Sequence, residues 1–200
     1  MKIMVDLDRV VFDCPSFTFW IGNIFCTKRY EDKELSYHLI NEEEAKTYKN
    51  NLFFLKMSHA KNFTQVDISV EVLRKWAEQG FEINFVSSRP KFKAFQKATV
   101  EWLNANNIKY NSLIFSCSNK PEYCKINNFD IIIDDTLENC KGAAEYGMFP
   151  IWVRTKYNRD IVDFPENVLD VEDWSEIDML VQSYTEYQQS KIVQSSTSID

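Results

Sequence analysis

Lys2-Ile-Met-Val-Asp-Leu-Asp-Arg-Val-Val-Phe-Asp13 opens the chain with a short apolar run, Ile3 to Val5, that ends abruptly in Asp6 and Asp8. A brief apolar run bounded by a polar break is the pattern of a buried strand. Asp is disfavoured inside strands, so Asp6 marks the place where the strand ends. In open α/β sheets ligands bind at the carboxyl edge of the strands. Asp6 and Asp8 stand at such an edge.

The same unit recurs downstream. Asp67 to Gln79 places Ile68, Val72, Leu73 and Trp76 on one helical face and stops at Gly80. Ile83-Asn84-Phe85-Val86 reads as a strand ending in Ser87-Ser88-Arg89-Pro90. A helix over Lys91 to Asn106 carries Phe92, Phe95, Ala98, Thr99, Trp102 and Leu103 on its apolar face. Leu113-Ile114-Phe115 reads as a strand, and Lys120 to Ile126 as a short helix with Pro121 in its first turn. Ile131-Ile132-Ile133 is a strand ending in Asp134-Asp135. A helix over Thr136 to Tyr146 stops at Gly147, Pro150 to Val153 is a last strand, and Asp173 to Tyr184 a last helix. This alternation predicts an α/β fold, a parallel sheet with right-handed crossovers and helices on both faces.

Residues 13–64 break the alternation. They are rich in aromatic side chains and carry an N-cap signal, Asn41 followed by Glu42-Glu43-Glu44. They read as a small, mainly helical insertion between the first strand and the next core helix. The core is then expected over 1–12 and 65–184, with a polar, flexible tail over 185–200.

Composition narrows the function. A hydrophobic fraction of 44% and an aromatic fraction of 14% belong to a folded chain, not a disordered one. The net charge of -7 and the lack of a Lys/Arg cluster speak against stable nucleic-acid binding. Five cysteines without a CxxC pair read as reduced thiols, which implies a cytoplasmic protein. No apolar run approaches the roughly 20 residues of a membrane span, and no signal peptide is expected ahead of the first strand.

Asp6, Asp8, Ser87, Ser88, Lys120, Asp134 and Asp135 all flank apolar strands or a helix start, so they are expected at one edge of the sheet. Four carboxylates gathered there repel unless a cation joins them, and Mg²⁺ is the natural candidate. A hydroxyl and an ammonium beside it suit a phosphoryl group.

The Asp6-Leu-Asp-Arg-Val run, the hydrophobic strand before Ser87, a lysine ahead of the next acidic strand and Ile-Asp134-Asp135 resemble, in order, the four motifs of the haloacid dehalogenase (HAD) superfamily. The insertion resembles a type C1 cap, and the VSSRP stretch and aromatic cap are similar to the 5′(3′)-deoxyribonucleotidase-like branch. The resemblance implies a Rossmannoid three-layer sandwich and a Mg²⁺-dependent phosphomonoester hydrolase. Its substrate would be small and soluble, a (deoxy)nucleoside monophosphate first. It implies Asp6 as nucleophile and metal ligand, and Asp8 as general acid and base with its carbonyl on the metal. It implies Ser87 or Ser88 and Lys120 on the phosphoryl group, Asp134 as metal ligand, and Asp135 behind it. Phe17 and Trp20 in the cap are candidate substrate contacts, as is Arg9, which stands where relatives have a small residue. Lys125 competes with Lys120 for the lysine role. Arg89-Pro90 reads as a turn, and His38 and His59 as surface residues.

The alternatives are a phosphatase for sugar phosphates or nucleic-acid ends, and a weakly active phosphate- or nucleotide-binding regulatory protein. A receiver-type signalling domain is disfavoured, because Leu113-Ile114-Phe115 ends in Ser116-Cys117-Ser118 rather than Asp. Oligomeric state is not legible.

Overall fold

The computed structural model describes residues 1–13, 63–89, 91, 93–156 and 158–197. The expected cap, with Phe17 and Trp20, lies outside the described residues apart from its two ends.

The chain opens with β1 (Lys2–Val5), followed by β2 (Phe12–Asp13) and β3 (Thr64–Gln65), which pair antiparallel. Then come α1 (Ser69–Glu78), β4 (Glu82–Val86), α2 (Lys93–Ala105), β5 (Ser112–Ile114), α3 (Lys120–Ile126) and β6 (Ile131–Asp134). The described chain closes with α4 (Leu137–Glu145), β7 (Phe149–Val153), β8 (Leu169–Val171) and α5 (Trp174–Thr197). Six strands form one sheet in the order β5-β4-β1-β6-β7-β8, and all of its pairs are parallel.

Sheet burial on both faces follows from period-two alternation. Ile3, Val5, Ile131 and Ile133 belong to one core cluster, with Trp76 and Leu73 of α1 and Ile177 and Val181 of α5. Met4, Ile132 and Val86 belong to the opposite cluster, with Cys124 of α3 and Ala143 of α4. Each such side chain contributes about 1.5–3 kcal/mol when fully buried. Ile68, expected on the buried face of α1, is instead 40% exposed just ahead of the helix, and Val70 takes the inner position. Gly80 and Gly147 stop α1 and α4 with φ of 81° and 78°, the left-handed region that a side chain resists.

Two further features depart from the sequence reading. β8 is an added edge strand, three residues long, too short for a periodic signal. The last helix runs to Thr197 instead of fraying after Tyr184. Its extension lacks Gly and Pro, and Glu, Gln and Lys cost little in a helix.

The two ends of the expected cap are fixed to the core. Phe12 stacks on Phe63 at 4.8 Å, and Trp102 meets Phe12 edge-on at 4.8 Å. Trp102 Nε1 donates to the Phe63 carbonyl at 3.0 Å. The loop after β1 is held from the other side, where Trp174 Nε1 donates to the Val10 carbonyl at 2.8 Å.

Candidate active site

β1 and β6 lie at the centre of the sheet, where successive strands change direction outward from β1. That is the topological switch point at which open sheets bind ligands. Val5 pairs with Ile133, and the Asp6 N–H donates to the Ile133 carbonyl at 2.9 Å. Backbone pairing therefore sets Asp6 beside Asp134. Lys120 begins α3, whose start is fixed by Asn119, accepting from the Glu122 N–H at 3.3 Å, and by Pro121 in the first turn. Lys120 Nζ lies 2.8 Å from Asp6 Oδ1 and 2.7 Å from Asp134 Oδ2, and all three residues are buried.

Both oxygens of Asp134 have partners, and Oδ1 keeps a lone pair for a further one. Its Oδ1 accepts from the Thr136 N–H at 2.8 Å, and its Oδ2 also accepts from Asn139 Nδ2 at 3.0 Å. Asp135 differs: its Oδ2 meets Arg9 Nε at 2.9 Å, but its buried Oδ1 has no hydrogen-bond partner among the described residues. Carboxylate oxygens of Asp6, Asp134 and Asp135 lie within 4.8 Å of one another. A buried acceptor left unsatisfied costs about 1–3 kcal/mol. An all-oxygen cluster with such an acceptor fits a hard divalent cation such as Mg²⁺.

Electrostatics agree with that fit. Burial pushes the Asp6 carboxyl up to about 6 against the attraction of Lys120, with Asp134 and Asp8 adding to the rise. Burial likewise pushes Asp135 up to about 7, and Arg9 only partly offsets it. For Lys120 burial acts downward, yet Asp134 and Asp6 hold the ammonium well above its ordinary value. A second cation would relieve both carboxylates.

Asp8 stands apart from that trio. Its two oxygens accept from one guanidinium: Arg89 Nε to Oδ2 at 2.7 Å and Nη2 to Oδ1 at 2.7 Å. Arg89 is itself only 5% exposed, donates Nη1 to Thr99 Oγ1 at 3.0 Å, and lies over the Phe12 and Phe63 rings at 4.7 and 4.9 Å. Arg89 sits in a bend, as the sequence reading has it, and its side chain in addition clasps Asp8, which that reading did not give. The signal was the charge count, since four carboxylates at one edge call for more cations than Lys120.

Ser87 directly follows β4 in a buried position and Ser88 is exposed. Ser87 Oγ accepts from the Arg89 N–H at 3.1 Å, which leaves its own O–H able to donate. Lys125 points elsewhere, with Nζ over the Tyr146 ring at 4.2 Å, so Lys120 is the lysine brought to the carboxylates. Arg9 has a φ of 67°, a left-handed conformation that costs a non-glycine residue of order 1–3 kcal/mol. Its N–H donates to the Phe12 carbonyl at 2.8 Å, closing the tight loop that leads into β2.

The comparisons with known proteins address the fold. A family model described as PITM 1-3, LNS2 domain, matches residues 51–147, just under half of the chain. No curated protein matches. Among solved structures, CbbY from Rhodobacter sphaeroides in complex with phosphate superposes with a TM-score of 0.66 at 10% identity, over 88% of this chain and 95% of that one. The fold is the HAD-like Rossmannoid one. D,D-heptose 1.7-bisphosphate phosphatase from B. bronchiseptica, complexed with magnesium and phosphate, gives 0.57 at 12% identity, over 92% of this chain and 99% of that one. β-Phosphoglucomutase from Clostridium difficile gives 0.58 at 15% identity, over 93% and 97%. Among the described residues no helix is long and apolar enough to cross a membrane.

Proposed function

We propose that this chain is a Mg²⁺-dependent phosphomonoester hydrolase acting on small phosphorylated molecules. The observation that carries the reading is the buried bridge from Asp6 through Lys120 to Asp134, beside the unpartnered oxygen of Asp135. Three carboxylates and an ammonium at the switch point make a place for a phosphoryl group and a divalent cation together. The cation would be held by Asp6, Asp134 and the Asp8 carbonyl, with Asp135 behind, and when bound it supplies charge neutralisation at the phosphoryl oxygens.

Asp6 attacks phosphorus, and the bond to the leaving alkoxide breaks, giving an aspartyl-phosphate. Asp8 gives a proton to the departing alkoxide, then takes one from the water that hydrolyses the intermediate. Both Asp8 oxygens rest on Arg89, so Arg89 sets where that proton is handed over. Lys120 offsets the charge of Asp6 and of the phosphoryl group, and Ser87 donates its O–H to a phosphoryl oxygen.

Two substrate classes stand beside each other. The nucleoside monophosphate follows from the aromatic cap read in the sequence. The sugar phosphate is favoured by the neighbours, a β-phosphoglucomutase and a heptose bisphosphate phosphatase. A phosphate-release screen over nucleoside 5′- and 3′-monophosphates and sugar phosphates, with Mg²⁺ or EDTA, tests the reading. Release that needs Mg²⁺ and vanishes in Asp6→Asn supports it. Mg²⁺-binding, folded protein that releases phosphate from nothing sinks it in favour of a binding role.

A further inference from the structure

Asp135 is anchored through its backbone. Its carbonyl accepts from Trp152 Nε1 at 3.0 Å and from Asn158 Nδ2 at 2.9 Å, and both donors are buried. Asn158 is itself tied down. Its Nδ2 also reaches the Val153 carbonyl at 2.9 Å, and its Oδ1 accepts from the Thr155 N–H at 2.8 Å. The Asp135 backbone cannot shift without breaking those buried bonds, and its side chain is only 3% exposed.

Arg9 is held differently. Its N–H is fixed on the Phe12 carbonyl at 2.8 Å, but its side chain is 27% exposed. Lys120 and Arg89, the other cations that reach this group of carboxylates among the described residues, are buried. Arg9 meets Asp135 through Nε on Oδ2, while Oδ1 has no hydrogen-bond partner among the described residues. The φ of 67° at Arg9 is one that glycine adopts freely and a side chain resists. Such strain persists only where the surroundings impose it, and it points to the side chain carried there.

Charge sets the consequence. Metal binding requires ionised carboxylates. Asp6, Asp134 and Asp135 then carry three negative charges, against one positive charge on Lys120 and one on Arg9. With Arg9 in place the trio keeps one uncompensated charge. With Arg9 turned out it keeps two, the match for a divalent ion. A guanidinium on Asp135 and a Mg²⁺ among the three carboxylates also repel each other in a buried site, where water and salt screen little.

We infer that Arg9 is a tethered competitor of the divalent cation: it lowers the affinity of the carboxylate cluster for Mg²⁺, and it is the side chain that gives way when the ion binds. Arg9 thus sets the Mg²⁺ concentration at which the site fills. The coupling is reciprocal, since the ion weakens the hold of Arg9 on Asp135 as much as Arg9 weakens the ion. The inference rests on the divalent-cation part of the proposed function and needs no particular substrate.

Titration calorimetry of the full chain with MgCl₂ tests it, at fixed ionic strength and about pH 8.5, where the carboxylates are ionised. Three variants are compared with wild type. Arg9→Gly suits the left-handed backbone, Arg9→Gln keeps side-chain bulk without charge, and Arg9→Lys keeps the charge. The expected result is Mg²⁺ binding about tenfold tighter in Arg9→Gly and Arg9→Gln, the scale on which groups around a metal's ligands change its affinity, and close to wild type in Arg9→Lys. The rise in melting temperature that Mg²⁺ brings should be larger in the two neutral variants, because tighter binding stabilises more. Unchanged or weaker Mg²⁺ binding in both neutral variants, with a wild-type near-UV circular dichroism spectrum, overturns the inference and makes Arg9 a residue that holds Asp135 in position. An equal gain in Arg9→Lys overturns it too, since charge is then not the cause. If neither wild type nor the neutral variants bind Mg²⁺, the metal site falls and the inference with it. Expected Mg²⁺ binding without phosphate release from any substrate removes the phosphatase reading and leaves the inference standing.

Discussion

Lys120→Met removes the single ammonium shared by Asp6 and Asp134 while keeping most of the side chain's volume. In the folded protein that ammonium sits 2.8 and 2.7 Å from two carboxylates whose side chains are 9% and 0% exposed. A pair of unit charges at 4 Å and an effective dielectric near 20 attracts by about 4 kcal/mol. The cost of burying the ammonium cancels much of what two such pairs provide. Breaking a buried pair by deleting one partner nonetheless costs about 3–5 kcal/mol, because the remaining charge stays buried without compensation. In a domain of 150–250 residues each kcal/mol moves the melting temperature by about 2–4 °C. Lys120→Met in EDTA should therefore melt roughly 10 °C below the wild type, read by differential scanning calorimetry or near-UV circular dichroism. Mg²⁺ should restore part of the loss, since a divalent ion supplies the missing positive charge. A variant melting within about 2 °C of wild type in EDTA would refute the claim that Lys120 holds the two carboxylates together.

Arg89→Met, by freeing Asp8 from its guanidinium, should lower kcat on alkyl phosphates by about 100-fold, within the range assigned to general acid–base catalysis. The loss should be smaller for aryl phosphates, whose leaving groups need less protonation, and Arg89→Lys should recover little because an ammonium lacks the planar fork. Equal losses on both substrate types would remove Arg89 from proton transfer. Burial raises Asp6 to about 6 and Asp135 to about 7, so the fold favours their protonated forms. That stability is fully present below the unfolded carboxylate range and is lost as pH rises through about 6 and 7, about 3 kcal/mol for Asp6 alone. The Mg²⁺-induced rise in melting temperature should accordingly grow from pH 5 to pH 8, with proton release on Mg²⁺ binding near pH 6 by calorimetry in two buffers. A pH-independent Mg²⁺ effect would contradict it. Lys125→Ala, which loses only a contact with the Tyr146 ring worth about 0.5–1 kcal/mol, should leave Mg²⁺-dependent phosphate release unchanged. A large loss would reopen the choice between the two lysines.

Strand and helix alternation was legible because both obey short periods. Ile3-Met4-Val5 and Ile131-Ile132-Ile133 are continuous apolar runs, as strands buried on both faces must be, and polar residues mark their ends. Local order thus determined that Asp6, Asp8, Ser87, Lys120, Asp134 and Asp135 fall at strand ends or a helix start. It did not determine which of them touch. Pairing of β1 with β6 set Asp6 against Asp134 and let Lys120 rather than Lys125 bridge them, and pairing is a relation between segments far apart in the chain. The clasp of Arg89 on Asp8 spans 81 positions, and the Arg9 contact with Asp135 spans more, so neither had a local signature. β8 also appears only when it pairs with β7 at the edge of the sheet. Sequence alone fixes the inventory of charges because it fixes where each apolar run stops. Only the tertiary structure fixes how those charges pair, because pairing depends on distances that periodicity does not contain.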